Sequence, residues 1–167
     1  MTLRSFRRGY ERVLEWICIV LLAALAAEVT AGVIFRYSGH SLVWYDEVAT
    51  ILLAWVTFYG SALAVLKHAH MGVPEIVRML PAGQRVAAAV AAQLCTLAFF
   101  VLLAWVGYSI LEILGPDRLV SLPDVSVAFA MSAIPIGAVL FVVGQLLVFP
   151  EVLREARGEV IQAGEHA

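Results

Sequence analysis

FRYSGHSLVWYDEVATILLAWVTFYGSALA, Phe35 to Ala64, decides how the chain folds. Arg36 and Tyr37 close one apolar run. A short polar turn follows, and Trp44, Asp46 and Glu47 open a second run. Arginine and tryptophan suit the depth at which hydrocarbon meets water. Inside the second run, Thr50, Ala54, Thr57, Ser61 and Ala64 recur at steps of four and three. That spacing puts them on one helix face, and Glu47 extends the series outward. Small side chains let helix backbones approach in lipid, and hydroxyls can bond across helices. The face is therefore either packing among the chain's own helices or a dock for another membrane protein.

The remaining sequence is read outward from this hairpin. Of its 167 residues 62% are hydrophobic and only 14% are charged. Mean hydropathy is +0.92. A soluble domain needs more charge to cover its surface, so the long apolar runs are expected to be transmembrane helices. Four spans are predicted: Val13 to Phe35, Glu47 to Leu66, Val86 to Leu111 and Val125 to Phe149. At about 1.5 Å per residue each is long enough to cross a hydrocarbon core of about 30 Å. Together they make one all-α integral membrane domain over residues 1–167. Pro135 inside the fourth span removes a backbone donor and should kink it. Otherwise no broken helix is expected. Arg4, Arg7 and Arg8, followed by Ala24-Leu25-Ala26, imitate a signal peptide, but the apolar run continues to Phe35, so a retained first helix is expected.

Basic residues orient the spans. Arg4, Arg7, Arg8 and Arg12 precede the first span. Lys67, Arg78 and Arg85 lie in the second loop, and Arg154 and Arg157 follow the fourth span. The other two loops hold only Arg36 and Arg118. Positive residues stay in the cytoplasm, so both termini are expected there. Within the second loop, Pro74 and Glu75 suit a helix start, Ile76, Val77, Met79 and Leu80 are apolar, and Pro81 stops the segment. A short amphipathic interfacial helix over 74–80 is expected.

Glu28 lies inside the first apolar run among Ala24, Ala27 and Ala31. A carboxylate there should face protein or water, as a proton site or as a hydrogen-bonded link between helices. The fourth span repeats the small-residue pattern with Ser126, Ala130, Ala133, Gly137 and Gly144. His40, His68, His70 and His166 all fall outside the spans, which is a poor arrangement for haem ligation. Cys18 and Cys95 sit in apolar runs without metal-ligand spacing. No catalytic motif is present, so no catalytic, cofactor or metal residue is assigned and the chain is not expected to be an enzyme. A net charge of −2 leaves no footprint for nucleic acid. Membrane lipid is the one partner that composition implies.

A resemblance runs through most of the chain. Arg36-Tyr37, Trp44 with Glu47, Gly60, His70 with Val73, Leu80-Pro81, Leu122-Pro123 and Ile134-Pro135-Ile136-Gly137 follow one another in a four-span setting. In this the chain resembles the small membrane subunit of the tripartite ATP-independent periplasmic (TRAP) transporters, the DctQ-like family. The resemblance implies a scaffold beside a large multi-span membrane subunit that holds the substrate and sodium sites. It also implies a periplasmic binding protein that delivers an organic acid, with sodium entry driving uptake across the inner membrane. The sequence stops at Ala167, so the large subunit is expected to be a separate chain. The partner-interface candidates are Asp46, Glu47, Thr50, Ala54, Thr57 and Ser61. The candidates for anchoring are Glu28, Arg36, Trp44 and Pro135. Two other readings remain open from the residues alone: an autonomous small proton-coupled exporter, and a haem-binding membrane anchor of a respiratory enzyme.

Overall fold

A computed structural model describes residues 3–40, 42–67 and 81–157. All the regular elements in them are helical: α1 (Leu3–Tyr37), α2 (Tyr45–Leu66), α3 (Ala82–Leu114), α4 (Val127–Met131) and α5 (Ala133–Arg157). Four helical stretches are long and apolar enough to cross a membrane: Ser5–Tyr37, Tyr45–Leu66, Gly83–Leu114 and Val127–Arg154. The first three contain the expected spans, and the fourth begins two residues after the expected start at Val125 and runs past the expected end at Phe149. The expected interfacial helix over 74–80 lies outside the described residues.

The turn between α1 and α2 follows from its glycine. Gly39 has φ +76°, a conformation that costs glycine little. Its N–H donates to the Arg36 carbonyl (3.2 Å), and the His40 N–H donates to the Phe35 carbonyl (3.1 Å). These are the two bonds of a Schellman cap, which ends α1 and satisfies its last carbonyls. Asp46 and Glu47 then occupy the first turn of α2, where the helix dipole favours negative charge.

The fourth span departs from the expectation of one kinked helix, and the expectation of no broken helix is corrected with it. It is broken at Ser132, between α4 and α5. Pro135 explains the position. Proline has no N–H to offer the carbonyl four residues back, that of Met131, and its ring crowds that carbonyl. The chain therefore turns at Ser132, where the Ser132 N–H donates to the Ala128 carbonyl (3.0 Å). Pro135 is left in the first turn of α5, where its missing donor is not needed. The helix then continues through Pro150 to Arg157, beyond the expected end at Phe149.

Helix neighbours do not follow chain order. α1 packs on α2, α2 packs on α5, and α5 packs on α3, so the last span lies between the second and third. One core joins α1, α2 and α5: Leu14, Tyr59, Ala62, Val65, Leu66, Phe141 and Val148. Phe100 of α3 stacks on Phe141 with ring centroids 3.6 Å apart. Large apolar side chains elsewhere face outward, among them Trp16, Ile19 and Val20 on α1 and Phe99, Leu102 and Trp105 on α3. Such faces suit lipid tails or another membrane protein.

The end that carries the first turns of α1 and the last turns of α2 and α5 is cross-braced. Arg7 forms an ion pair with Glu151 and donates to the Leu66 carbonyl (2.9 Å). The Tyr10 hydroxyl donates to the Leu140 carbonyl (2.7 Å). Lys67 pairs with Glu15 and lies 3.7 Å from Glu11. The hydrogen bond and charge of Glu15 push the Lys67 ammonium above its ordinary value.

Candidate functional site

The second helix holds most of the sequence-derived candidates, and the fold gives that helix three distinct faces. One face meets α1. Gly32 lacks a side chain, and the Tyr45 ring occupies the position its Cβ would take. A second face meets α5. Phe58 packs on Gly137, where an added Cβ would lie 2.5 Å from the Phe58 Cβ. Further along, an added Cβ on Gly144 would lie 3.4 Å from the Ala62 carbonyl oxygen. The third face carries Thr50, Ala54, Thr57, Ser61 and Ala64.

On this third face Thr50 and Thr57 are exposed, and Ala54, Ser61 and Ala64 are half-buried. The hydroxyls do not reach across to neighbouring helices. Thr50 donates to the Asp46 carbonyl (2.7 Å), Thr57 to the Leu53 carbonyl (2.8 Å) and Ser61 to the Phe58 carbonyl (2.8 Å). Back-bonding of this kind satisfies the hydroxyl within its own helix. The face therefore offers a close-packing surface with its polar groups already satisfied.

The small-residue series of the fourth span has the opposite fate. Ala130, Ala133, Gly137 and Gly144 are all buried, with Phe141 and Val148 continuing the row. Only Ser126 stands apart, as the cap of α4: its hydroxyl accepts from the Ala128 N–H (3.2 Å).

Asp46 and Glu47 separate as well. The Glu47 carboxylate accepts the backbone N–H groups of Val120 (3.2 Å) and Ser121 (2.8 Å). The Ser121 hydroxyl donates to the Val43 carbonyl (3.3 Å). The loop between α3 and α4 is thus tied to the start of α2, with Trp44 beside it as the N-cap residue. The loop is also closed on itself, because Leu119 N–H donates to the Val125 carbonyl and Val127 N–H to the Asp117 carbonyl, both at 3.0 Å. Asp46 stays exposed and lines a recess with Gly32, Arg36, Leu42 and Tyr45.

Glu28 is half-buried, and its Oε1 is fully enclosed without a hydrogen-bond partner among the described residues. It does not act as a link between helices of this chain through that atom. Pro135 is buried, follows the Ser132 break by three residues and lies against α3, where a Cβ added at Gly107 would be 3.2 Å from its Cδ. Of the four histidines only His40 is described, on the exposed turn, with Nδ1 3.0 Å from the Ser38 carbonyl. Among the described residues no three His, Cys, Asp or Glu side chains gather as metal ligands.

One pair escaped the sequence reading. Gln93 of α3 and Gln145 of α5 face each other inside the spans. The Gln145 amide donates to Gln93 Oε1 (2.7 Å), and the Gln93 amide donates to the Gln145 carbonyl (3.3 Å). Gln93 is 5% exposed. An amide buried in an apolar run needs a partner, and these two are the only side-chain amides within the four spans expected from the sequence. That signal was available from the sequence.

Comparison with known proteins sets this arrangement in a family. The family model described as tripartite ATP-independent periplasmic transporters, DctQ component, matches residues 25–155. The chain belongs to this family. It is 31% identical over 90 residues to the C4-dicarboxylate TRAP transporter small permease protein DctQ of Vibrio cholerae. That match covers 53% of this chain and 39% of the relative. It is 33% identical over 82 residues to a putative TRAP transporter small permease protein of Haemophilus influenzae, covering 47% of this chain and 50% of the relative. These two matches therefore span half or less of the relatives' lengths. A match at 24% identity to the sialic acid TRAP transporter small permease protein SiaQ of Vibrio cholerae covers 87% of this chain and 84% of the relative. The matched region of this DctQ-family chain runs from within α1 almost to the end of α5. It takes in the hairpin, the α2 seam, the Glu47 tie and the glutamine pair.

Proposed function

We propose that the chain is the non-catalytic scaffold subunit of a TRAP transporter and docks a separate, large multi-span membrane subunit on the third face of α2. The observation that carries this is the contrast on that helix. Its α1 and α5 faces are filled from within the chain, while on the third face Thr50 and Thr57 stay exposed beside the half-buried Ala54 and Ser61. In lipid the gain from association comes from close packing, which a strip of small residues permits. Asp46 extends the strip to its outer end, and Glu47 holds the loop beside it. Trp44 and Arg36 fix the depth of that end in the membrane.

In this reading the large subunit holds the substrate and sodium sites, and a periplasmic binding protein delivers an organic acid to it. The small subunit widens the static part of the assembly in the inner membrane. Both termini lie in the cytoplasm. Glu28 bonds to the partner, since no donor among the described residues reaches Oε1. The family membership and the filled core favour this over an autonomous exporter or a haem anchor.

Co-purification with the large subunit tests the docking face. Ala54→Leu and Ser61→Leu are expected to leave the small subunit inserted and abundant, to reduce its recovery with a tagged large subunit, and to lower uptake in parallel. Wild-type recovery would move the dock to another helix. Thiol labelling tests orientation: cysteines at Ser38 and Ser121 should react from outside intact cells, and one at Ser5 should not. Glu28→Gln is expected to leave uptake near normal. Lost uptake with normal assembly would place proton coupling in this chain instead.

A further inference from the structure

The turn between α1 and α2 carries a second surface, which meets the α2 strip at Asp46. A recess of about 260 Å³ is lined by Gly32 and Arg36 of α1, Leu42 of the turn, and Tyr45 and Asp46 of α2. Beside it a wider groove of about 520 Å³ is lined by Val33, Arg36 and Tyr37. Arg36 belongs to both. Arg36 and Asp46 line the same recess, yet their side chains form no ion pair with each other. Among the described residues neither side chain has another charged or hydrogen-bonding partner. Each charge is stabilised at its own helix end, Arg36 in the last turn of α1 and Asp46 in the first turn of α2. Both therefore remain available to a ligand.

We infer that this recess binds the headgroup of a zwitterionic phospholipid bearing a primary amine, with its phosphate on Arg36 and its ammonium on Asp46. Charge complementarity selects the zwitterion. A purely anionic headgroup would satisfy Arg36 and be repelled by Asp46. A guanidinium suits phosphate because its planar fork donates two parallel hydrogen bonds. A primary ammonium donates hydrogen bonds to a carboxylate, whereas a quaternary ammonium has no N–H to donate. The adjoining groove argues for a lipid rather than a soluble amine phosphate. It runs from Arg36 onto Val33 and the Tyr37 ring, both exposed, and so provides an apolar track for an acyl chain. Tyr37, Trp44 and Tyr45 place the recess at headgroup depth. Gly32 shapes its floor, because only a residue without Cβ lets the Tyr45 ring lie against α1. The site meets the outer end of the proposed subunit dock at Asp46, but lipid retention by the chain alone does not depend on that dock.

Native mass spectrometry of the full chain tests this. The delipidated protein in mild detergent is offered equal amounts of phosphatidylethanolamine, phosphatidylcholine and phosphatidylglycerol. Phosphatidylethanolamine is expected to be retained roughly tenfold more than either of the others, the size of one charge-assisted hydrogen bond. Arg36→Gln should lower that retention roughly tenfold, and Arg36→Lys should lower it less. Asp46→Asn should erase the preference over phosphatidylcholine and raise phosphatidylglycerol binding. Glycerophosphoethanolamine, which has the headgroup without acyl chains, should not compete. Equal retention of the three lipids, a wild-type preference for phosphatidylglycerol, or unchanged retention in both Arg36→Gln and Asp46→Asn would overturn the assignment. Effective competition by glycerophosphoethanolamine would reject a lipid in favour of a soluble ligand. Should Arg36→Gln misfold, the near-isosteric Asp46→Asn decides, because Asp46 is exposed.

Discussion

Two stripes of small residues run along this chain, and the fold treats them oppositely. In the fourth span Ala130, Ala133, Gly137 and Gly144 are buried against α2 and its neighbours. In the second span Thr50 and Thr57 face outward, with Ala54, Ser61 and Ala64 beside them half-buried. Both stripes follow helical spacing, with a gap at Phe141 in the fourth span, and have nearly the same chemistry. The difference lies in what faces them. Gly137 meets the Cβ of Phe58, an atom that cannot rotate out of the way, whereas the α2 hydroxyls are folded back on their own helix. A stripe of small residues permits close approach without naming the neighbour. The neighbour is named by the large residue on the facing helix.

The largest effect expected from this contrast comes from the buried stripe. Gly137→Leu forces Phe58 and the α2 backbone away from α5 and should destabilise the chain by about 3 kcal/mol or more. The measurement is thermal unfolding of the purified protein, or its abundance in the membrane. A well-folded Gly137→Leu variant would mean that α2 and α5 do not pack through this contact.

The glutamine pair sharpens the contrast with a polar version of the buried contact. Gln93→Leu alone leaves Gln145 without its side-chain partner, and a loss of about 1 kcal/mol is expected. The double variant Gln93→Leu/Gln145→Leu should recover part of that loss, since both amides are then gone. A double-mutant cycle in detergent reads the coupling directly.

On the exposed stripe, Ala54→Leu should change the unfolding of the isolated chain by no more than about 0.5 kcal/mol, because Thr50 and Thr57 on either side of it are exposed. Loss of the isolated chain would turn the stripe into internal packing and remove the proposed dock. Thr57→Val should do least, within about 0.5 kcal/mol on the same scale. Its hydroxyl satisfies only the Leu53 carbonyl, which already accepts within the helix.

Four spans and the polar hairpin were legible because hydrocarbon thickness sets a length that long apolar runs either meet or miss. Pro135 was legible as a disturbance of the fourth span, though its effect falls three residues upstream at Ser132. Helix order was not legible. Periodicity says which residues share a face, and nothing in it puts the last span between the second and the third. The Glu47 tie to Val120 and Ser121 joins positions 73 and 74 residues apart through backbone donors, which have no sequence signature. The candidates on α2 were identified as one set, but they separate into a braced acid, an exposed acid and a strip of satisfied hydroxyls.

The position of α5 also sets a schedule for assembly. The packing partners of α3 are α4 and α5, and both are synthesised after it. At about 5–20 residues per second, α3 spends a few seconds in the bilayer before α5 is complete. During that interval the Gln93 amide has no Gln145 to bond. A chain stalled before Gln145 would keep that polar group against lipid or bound to whatever membrane chaperone accepts it. Completion of the last span thus buries the exposed amide by which a membrane quality-control system could tell an unfinished chain from a finished one.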